Sequence, residues 1–266
     1  MQLLWTRFSL ALAFFVTAIA VSMTVQAQNK DYTPSVGQEG KDVIWVPTPN
    51  ELIQKMLDMA KLTPSDVHFD LGSGDGRTVI AAAKRGTKAV GVEFNPDMVE
   101  LSRRNAQKEG VTARAEFIRG DIFETDFSKA TVLTLYLLPS LNLKLRPTVL
   151  NMKPGTRVVS HAFTMGDWEA DQTETVEGRT AYLWIVPAKV EGNWRIEGGS
   201  DLALKQTFQK LEGSAGGTAI RNARLHGDAI TFSVDGRDYS GHVSGDRMEG
   251  SVKGSMSGKW SAARVK

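Results

Sequence analysis

The chain has 266 residues, 41% hydrophobic and 23% charged, with a net charge of +2. That balance can bury a core, which excludes global disorder, and it gives no charge-based reason to expect a nucleic-acid partner. There is no cysteine, which excludes a cysteine nucleophile, a disulfide framework and a thiolate metal site. His68, His161, His226 and His242 are scattered without metal-ligand spacing, so no metal is expected.

Arg7 precedes an uncharged, mostly apolar run over residues 8–25, and Val25-Gln26-Ala27 places small residues where a signal peptidase reads them. Residues 1–27 therefore read as a secretory signal peptide cut after Ala27, or as an uncleaved membrane anchor, since the run is about 18 residues long. Both readings put the body on the outer side of the membrane, periplasmic or exported, and the anchor brings it close to the bilayer. Residues 28–44 are polar and read as an irregular tether.

At Thr48-Pro49-Asn50-Glu51 a capping box with Thr48 as cap opens a helix, and Leu52, Ile53, Met56, Leu57 and Ala60 form its apolar stripe. Thr63-Pro64-Ser65-Asp66 stops it. Strands and helices then alternate. Residues 67–71 form a strand, 72–76 a tight loop and 77–85 a helix. Residues 89–93 form a strand, and a helix capped by Asn95 runs to about Glu109 and ends at Gly110. Strands follow at 115–118 and 131–137, a helix at 140–150 and a strand at 157–161. This alternation predicts an α/β domain over residues 45–186, a Rossmann-like and mostly parallel sheet with helices on both faces. Segments 172–176 and 181–186 read as an edge hairpin. After Pro187 the helical period disappears, and 13 of the 25 glycines lie between Gly192 and Gly258. Strands at 202–208, 229–234, 239–243 and 259–265 predict a small antiparallel β domain or barrel-like module over residues 187–266.

The loop after the first strand is the most informative segment. Gly72, Gly74 and Gly76 let a ligand approach the backbone, and a helix N-terminus follows at once. A dinucleotide fold wants G-x-G-x-x-G over a pyrophosphate. Here the spacing is G-x-G-x-G, with Asp70 and Asp75 beside it. Carboxylates repel a pyrophosphate and suit the ammonium of a methionine moiety. Glu93, 17 residues after Gly76, can accept hydrogen bonds from ribose hydroxyls, and Asp121 can accept from an adenine amino group.

On residues 70–77 (Asp70-Leu71-Gly72-Ser73-Gly74-Asp75-Gly76-Arg77), Gly91-Val92-Glu93-Phe94-Asn95-Pro96-Asp97 and Gly120-Asp121-Ile122-Phe123, the chain resembles class I S-adenosylmethionine (SAM) dependent methyltransferases. With Val46-Pro47-Thr48-Pro49 added, it looks most like the small protein-lysine methyltransferases typified by mitochondrial inner-membrane members. The resemblance implies SAM as cofactor, bound by Asp70, Gly72, Ser73, Gly74, Asp75, Gly76, Glu93, Asp121 and Ile122, and N-methylation of a protein side chain such as lysine. The segment after the fourth strand, Leu135-Tyr136-Leu137-Leu138-Pro139-Ser140, lacks the Asn/Asp-Pro-Pro-aromatic motif of base-amino methylases. Tyr136 is the candidate catalytic residue, lining the acceptor pocket, or else it packs in an apolar strand; His161 and Asn142 are weaker candidates. A rival from another class is a non-catalytic cell-envelope binding protein that keeps the fold while the β domain holds a partner. A nicotinamide oxidoreductase is disfavoured by the glycine spacing.

Overall fold

The computed structural model describes residues 32–255 and 257–265. The signal peptide or anchor expected over residues 1–27 lies outside the described residues. Among the described residues no helix is long and apolar enough to cross a membrane.

The first sheet contains β1 (Val67–Leu71), β2 (Lys88–Glu93), β3 (Ala115–Arg119), β4 (Val132–Leu135), β5 (Arg157–His161), β6 (Gln172–Val176) and β7 (Arg179–Ile185). Their order is β3-β2-β1-β4-β5-β7-β6, with β1 to β5 parallel and β6 and β7 antiparallel at one edge. The order reverses between β1 and β4, where an open sheet leaves a crevice beyond its carboxyl ends. Side chains alternate across these buried strands. Phe69, Leu71, Leu133 and Leu135 pack with Leu145 and Val149 of α4 (Pro139–Val149). The opposite face is covered by α1 (Asn50–Met59), α2 (Arg77–Lys84) and α3 (Pro96–Lys108), through Ile53, Leu57, Val79, Val99 and Ala106. His68, Asp70 and Thr134 are buried polar residues at the alternate positions of β1 and β4.

The cap of α3 is as expected: the Asn95 side chain accepts from Asp97 N at 2.9 Å. The capping box at α1 is not. Pro49, extended at ψ 147°, occupies the cap position, no side chain caps the helix, and the Thr48 hydroxyl is bonded to His161 Nδ1 at 3.1 Å. A tertiary partner has taken the oxygen that the local motif would have used. The tether reading also needs correction. Residues 37–45 fold into a short hairpin, with Gly37 N donating to Trp45 O, Trp45 N to Gln38 O, both at 2.9 Å, and Glu39 bridged to Ile44.

The second sheet contains β8 (Gly192–Ile196), β9 (Asp201–Thr207), β10 (Lys210–Ala215), β11 (Thr218–Ala219), β12 (Arg221–His226), β13 (Ala229–Val234), β14 (Arg237–Ser244), β15 (Arg247–Gly254) and β16 (Gly258–Arg264). Because β9 pairs with both β8 and β10, and β16 with β8, eight of the nine strands close into an antiparallel barrel, and β11 is an appendage on β10. Closure removes the unpaired edges that an open sheet of this kind would expose. Its interior is filled by side chains, among them Trp194, Leu202, Leu225 and Ile230. Phe232 stacks on Tyr239 with centroids 4.6 Å apart, and Trp260 meets both edge-on.

The barrel leans on the segment that follows β5. At the turn between β9 and β10, Phe208 stacks on Trp168 with centroids 5.9 Å apart. Gln209 Nε2 donates to Glu169 O at 2.8 Å, and Arg224 pairs with Asp171.

Candidate functional site

A cavity of about 790 Å³ opens beyond the carboxyl ends of β1, β2 and β4. That is ample for a nucleoside-sized ligand. Its base is the glycine loop. Gly72 N and Ser73 N both donate to Val92 O of β2, and α3 holds the far side, Ser102 Oγ donating to Gly74 O and Asn105 Nδ2 to Asp75 O, each at 2.9 Å.

Asp70, the next-to-last residue of β1, lies beneath this loop and is buried. Thr134 donates to its Oδ1 at 2.6 Å. Since that hydroxyl has a single hydrogen, the 2.8 Å contact of Thr134 Oγ1 with His68 Nε2 requires the imidazole to donate from Nε2. Burial pushes His68 down to about 3, so it is a neutral donor at physiological pH. Burial, opposed by the Thr134 hydroxyl and reinforced by the charges of Glu93 and Asp75, pushes Asp70 up to about 7.

Glu93 closes β2. Its Oε2 accepts from Gly74 N at 3.0 Å and its Oε1 from Asn95 N at 2.9 Å, so the carboxylate both faces the cavity and ties the loop to the start of α3. Burial raises its carboxyl above the usual range. Asp121 follows β3. Its Oδ1 accepts from Phe123 N at 2.9 Å and its Oδ2 pairs with Lys41, which holds its carboxyl low.

The cavity is lined by Asp70, Gly72, Ser73, Gly74, Asp75, Glu93, Asp121, Ile122 and Tyr136. Three of the residues singled out in the sequence nonetheless present less to a ligand than expected. Gly76 is not among the lining residues. It starts α2 at φ +81°, where an added Cβ would lie 2.7 Å from the Phe117 ring and 2.9 Å from Ser102, so close packing explains the glycine. Asp75 lines the cavity, but Arg77 takes both its oxygens, Nε to Oδ1 at 3.0 Å and Nη2 to Oδ2 at 2.7 Å. Ser73 buries its hydroxyl without a partner. The negative charge left for a cation comes from Asp70 and Glu93.

Other parts of the site were not legible as such. The hairpin at residues 37–45 forms one wall, with Trp45 against the loop: a Cβ on Gly74 would lie 2.8 Å from its indole nitrogen. Lys41, 4.7 Å above the Phe94 ring, latches this hairpin to Asp121. Thr134 had one signal, a hydroxyl inside the otherwise apolar β4. Ser102 and Asn105 had none, since polar residues on an amphipathic helix are ordinary.

The family model for the ANTKMT methyltransferase domain matches residues 70–172 of the chain that builds this site. A protein-lysine N-methyltransferase of Saccharolobus islandicus is 43% identical over 151 residues, covering 54% of this chain and 94% of that protein. The adenine nucleotide translocase lysine N-methyltransferase of Mus musculus is 33% identical over 119 residues, and the match spans 44% of this chain and 52% of the mouse protein. Among solved structures, an RNA methyltransferase from Salinibacter ruber in complex with S-adenosylhomocysteine is 50% identical. It has a TM-score of 0.53, and the match covers 55% of this chain and 96% of that one.

Proposed function

The chain belongs to the family of small protein-lysine N-methyltransferases within the class I SAM-dependent methyltransferases, and on that premise we propose that it methylates the side-chain amine of lysine in a protein. The supporting observation is the cavity itself, where a glycine loop and two carboxylates, Asp70 and Glu93, meet at the switch point of the sheet. The residues fit SAM. Asp70 would take the ammonium of the methionine end, Glu93 the ribose hydroxyls and Asp121 the adenine amine, with Ile122 against the base. SAM supplies, when bound, a methyl on a sulfonium; the acceptor's lone pair forms the new bond as the carbon–sulfur pair goes to sulfur.

The chain's own residues have only to position and desolvate. Apolar Leu137, Leu138 and Leu141 near the end of β4 keep water from an arriving amine and favour its uncharged form, the one that carries the lone pair. Tyr136 would orient that nitrogen. The identity of the Salinibacter relative favours a second reading, an RNA acceptor. Against it, the two cations lining the cavity, Lys41 and Arg77, are each paired with a carboxylate, leaving a phosphate no partner there. We place the enzyme outside the cytoplasmic membrane on the strength of Arg7, the apolar run and Val25-Gln26-Ala27. There its protein substrate would lie near the bilayer and its SAM would have to be supplied across it.

Titration of the purified protein tests the cofactor half. SAM and S-adenosylhomocysteine should bind and NAD should not. Glu93→Ala should weaken SAM by about 2–3 kcal/mol, from lost charge-assisted hydrogen bonds and a loosened loop, and Glu93→Gln by less. Equal affinity in parent and Glu93→Ala would remove the ribose assignment. A transport-dependent reporter fused after Lys266 tests location, and activity of that reporter only in the cytoplasm would contradict it.

A further inference from the structure

Beside the cofactor cavity, the carboxyl ends of β4 and β5 carry a row of three rings. Tyr136 follows β4 and lies 3.8 Å, centroid to centroid, from His161 at the end of β5. The Phe163 ring lies 6.1 Å from Tyr136 and within 22° of parallel to it. Tyr136 and Phe163 line the cavity, while His161 is behind them and 3% exposed. The Tyr136 hydroxyl makes no hydrogen bond to any described residue, so it is available to a ligand.

The row is held from three sides. The Thr48 hydroxyl bonds His161 Nδ1 at 3.1 Å from the segment ahead of α1. Asn142 of α4, fully buried, donates to the carbonyls of Phe163 at 3.3 Å and Thr164 at 3.2 Å. Between His161 and Phe163 the backbone reverses within three residues. Phe163 N donates to His161 O at 2.8 Å, with Ala162 at φ +64°. A residue bearing a Cβ adopts that conformation only where its surroundings enforce it, and such enforced turns cluster at ligand sites. Burial, reinforced by nearby Arg179, pushes His161 down to about 4, so the ring beneath Tyr136 is uncharged and does not repel a cation.

We propose that this row is the acceptor site for a primary amine on an unbranched apolar stem, with Phe163 in contact with the stem and His161, held by Thr48, the positioning residue that sets the angle of the Tyr136 ring. The π faces attract the amine while it is still protonated, and the phenol oxygen then accepts one of its N–H bonds. A nucleobase or a branched side chain finds neither feature useful. The inference rests on the lysine reading and adds the residues that select for it.

The test is a binding ratio and needs no turnover. The probe is S-adenosylhomocysteine with a short aminoalkyl chain built out from the sulfur position, measured on the full chain against S-adenosylhomocysteine itself and against the matching compound ending in a hydroxyl. The parent should prefer the amine compound by about tenfold or more over both. Phe163→Ala and His161→Ala should each cut that preference about three- to tenfold while leaving S-adenosylhomocysteine affinity nearly unchanged. His161→Phe, which keeps a ring under Tyr136, should restore most of it, and Thr48→Val should fall between. An unchanged preference in both alanine variants, or a loss shared equally with S-adenosylhomocysteine, overturns the proposal. So does a parent that does not prefer the amine. If S-adenosylhomocysteine fails to bind even the parent, the proposed function falls first and this site with it, and that result is visible before any amine is compared.

Discussion

Asp70 shows how one buried carboxyl can tie binding to pH. In the ligand-free protein its carboxyl titrates near 7, and a ligand ammonium recognises only the ionised form. SAM affinity should therefore be level above pH 7 and fall, by up to about tenfold per unit, as the pH drops below it. Calorimetry between pH 5.5 and 8.5 checks this, and a flat profile would mean that Asp70 does not meet the ammonium. Stability runs the other way. Unfolded, the carboxyl ionises near its ordinary value of 3.8; folded, it holds its proton up to about 7. Stability is thus lost as the pH rises between those values, and the loss is complete above 7. Asp70→Asn should stabilise the ligand-free protein at pH 8 by on the order of 2 kcal/mol, do little at pH 4, and abolish tight SAM binding. Urea midpoints at the two pH values read the difference. Asp70 and Glu93 were legible because acids at strand ends flank a glycine loop. Asp75 looked equivalent in the sequence, and only the fold of Arg77 back onto it reveals that its charge is already balanced.

At the scale of elements, the hairpin at residues 37–45 sits over the glycine loop. Its sequence, Gly37-Gln38-Glu39-Gly40-Lys41-Asp42-Val43-Ile44-Trp45, has no alternation and little apolar content. It reads as a tether because its partners, Gly74 and Asp121, are distant in the chain. Trp45→Ala should leave the fold intact and speed SAM release about tenfold, since one wall of the cavity would be removed; stopped-flow displacement measures it, and an unchanged release rate would show that the hairpin is not a wall. The α/β alternation was legible down to single strands because short segments rich in Val, Leu and Phe, such as β1 and β4, lie between turn residues. The barrel was less so. Its strands β8, β10, β12 and β15 were missed because their apolar residues stand among glycines and polar residues with no sustained alternation; β15 buries only Met248 and Val252. A barrel-like module was among the readings of this region, but the pairing that closes it was not legible, because β16 and β8 are more than 60 residues apart.

For the whole molecule, the question is what the barrel does for the enzyme. Phe208, held at φ +53°, reaches across to Trp168, and Gln209 is buried against Glu169. These contacts brace the segment that follows β5, whose first residues carry Phe163. We propose that residues 45–186 fold without the barrel and are steadied by it. A chain ending at Val186 and keeping the 37–45 hairpin should bind SAM with near-parent affinity, yet melt several degrees lower through loss of the Phe208 contact. Phe208→Ala in the full chain should reproduce part of that drop, worth about 1–2 kcal/mol. An unfolded truncation would make the barrel part of the core. The central claim, that the site takes a lysine amine, is tested most directly by competition. The protein is given methyl-labelled SAM together with a lysine-rich unfolded protein and an RNA transcript at equal mass, and the labelled product is hydrolysed and identified. The account predicts methylated lysine, none of it from an Asp70→Asn variant; label in a methylated nucleoside would contradict it.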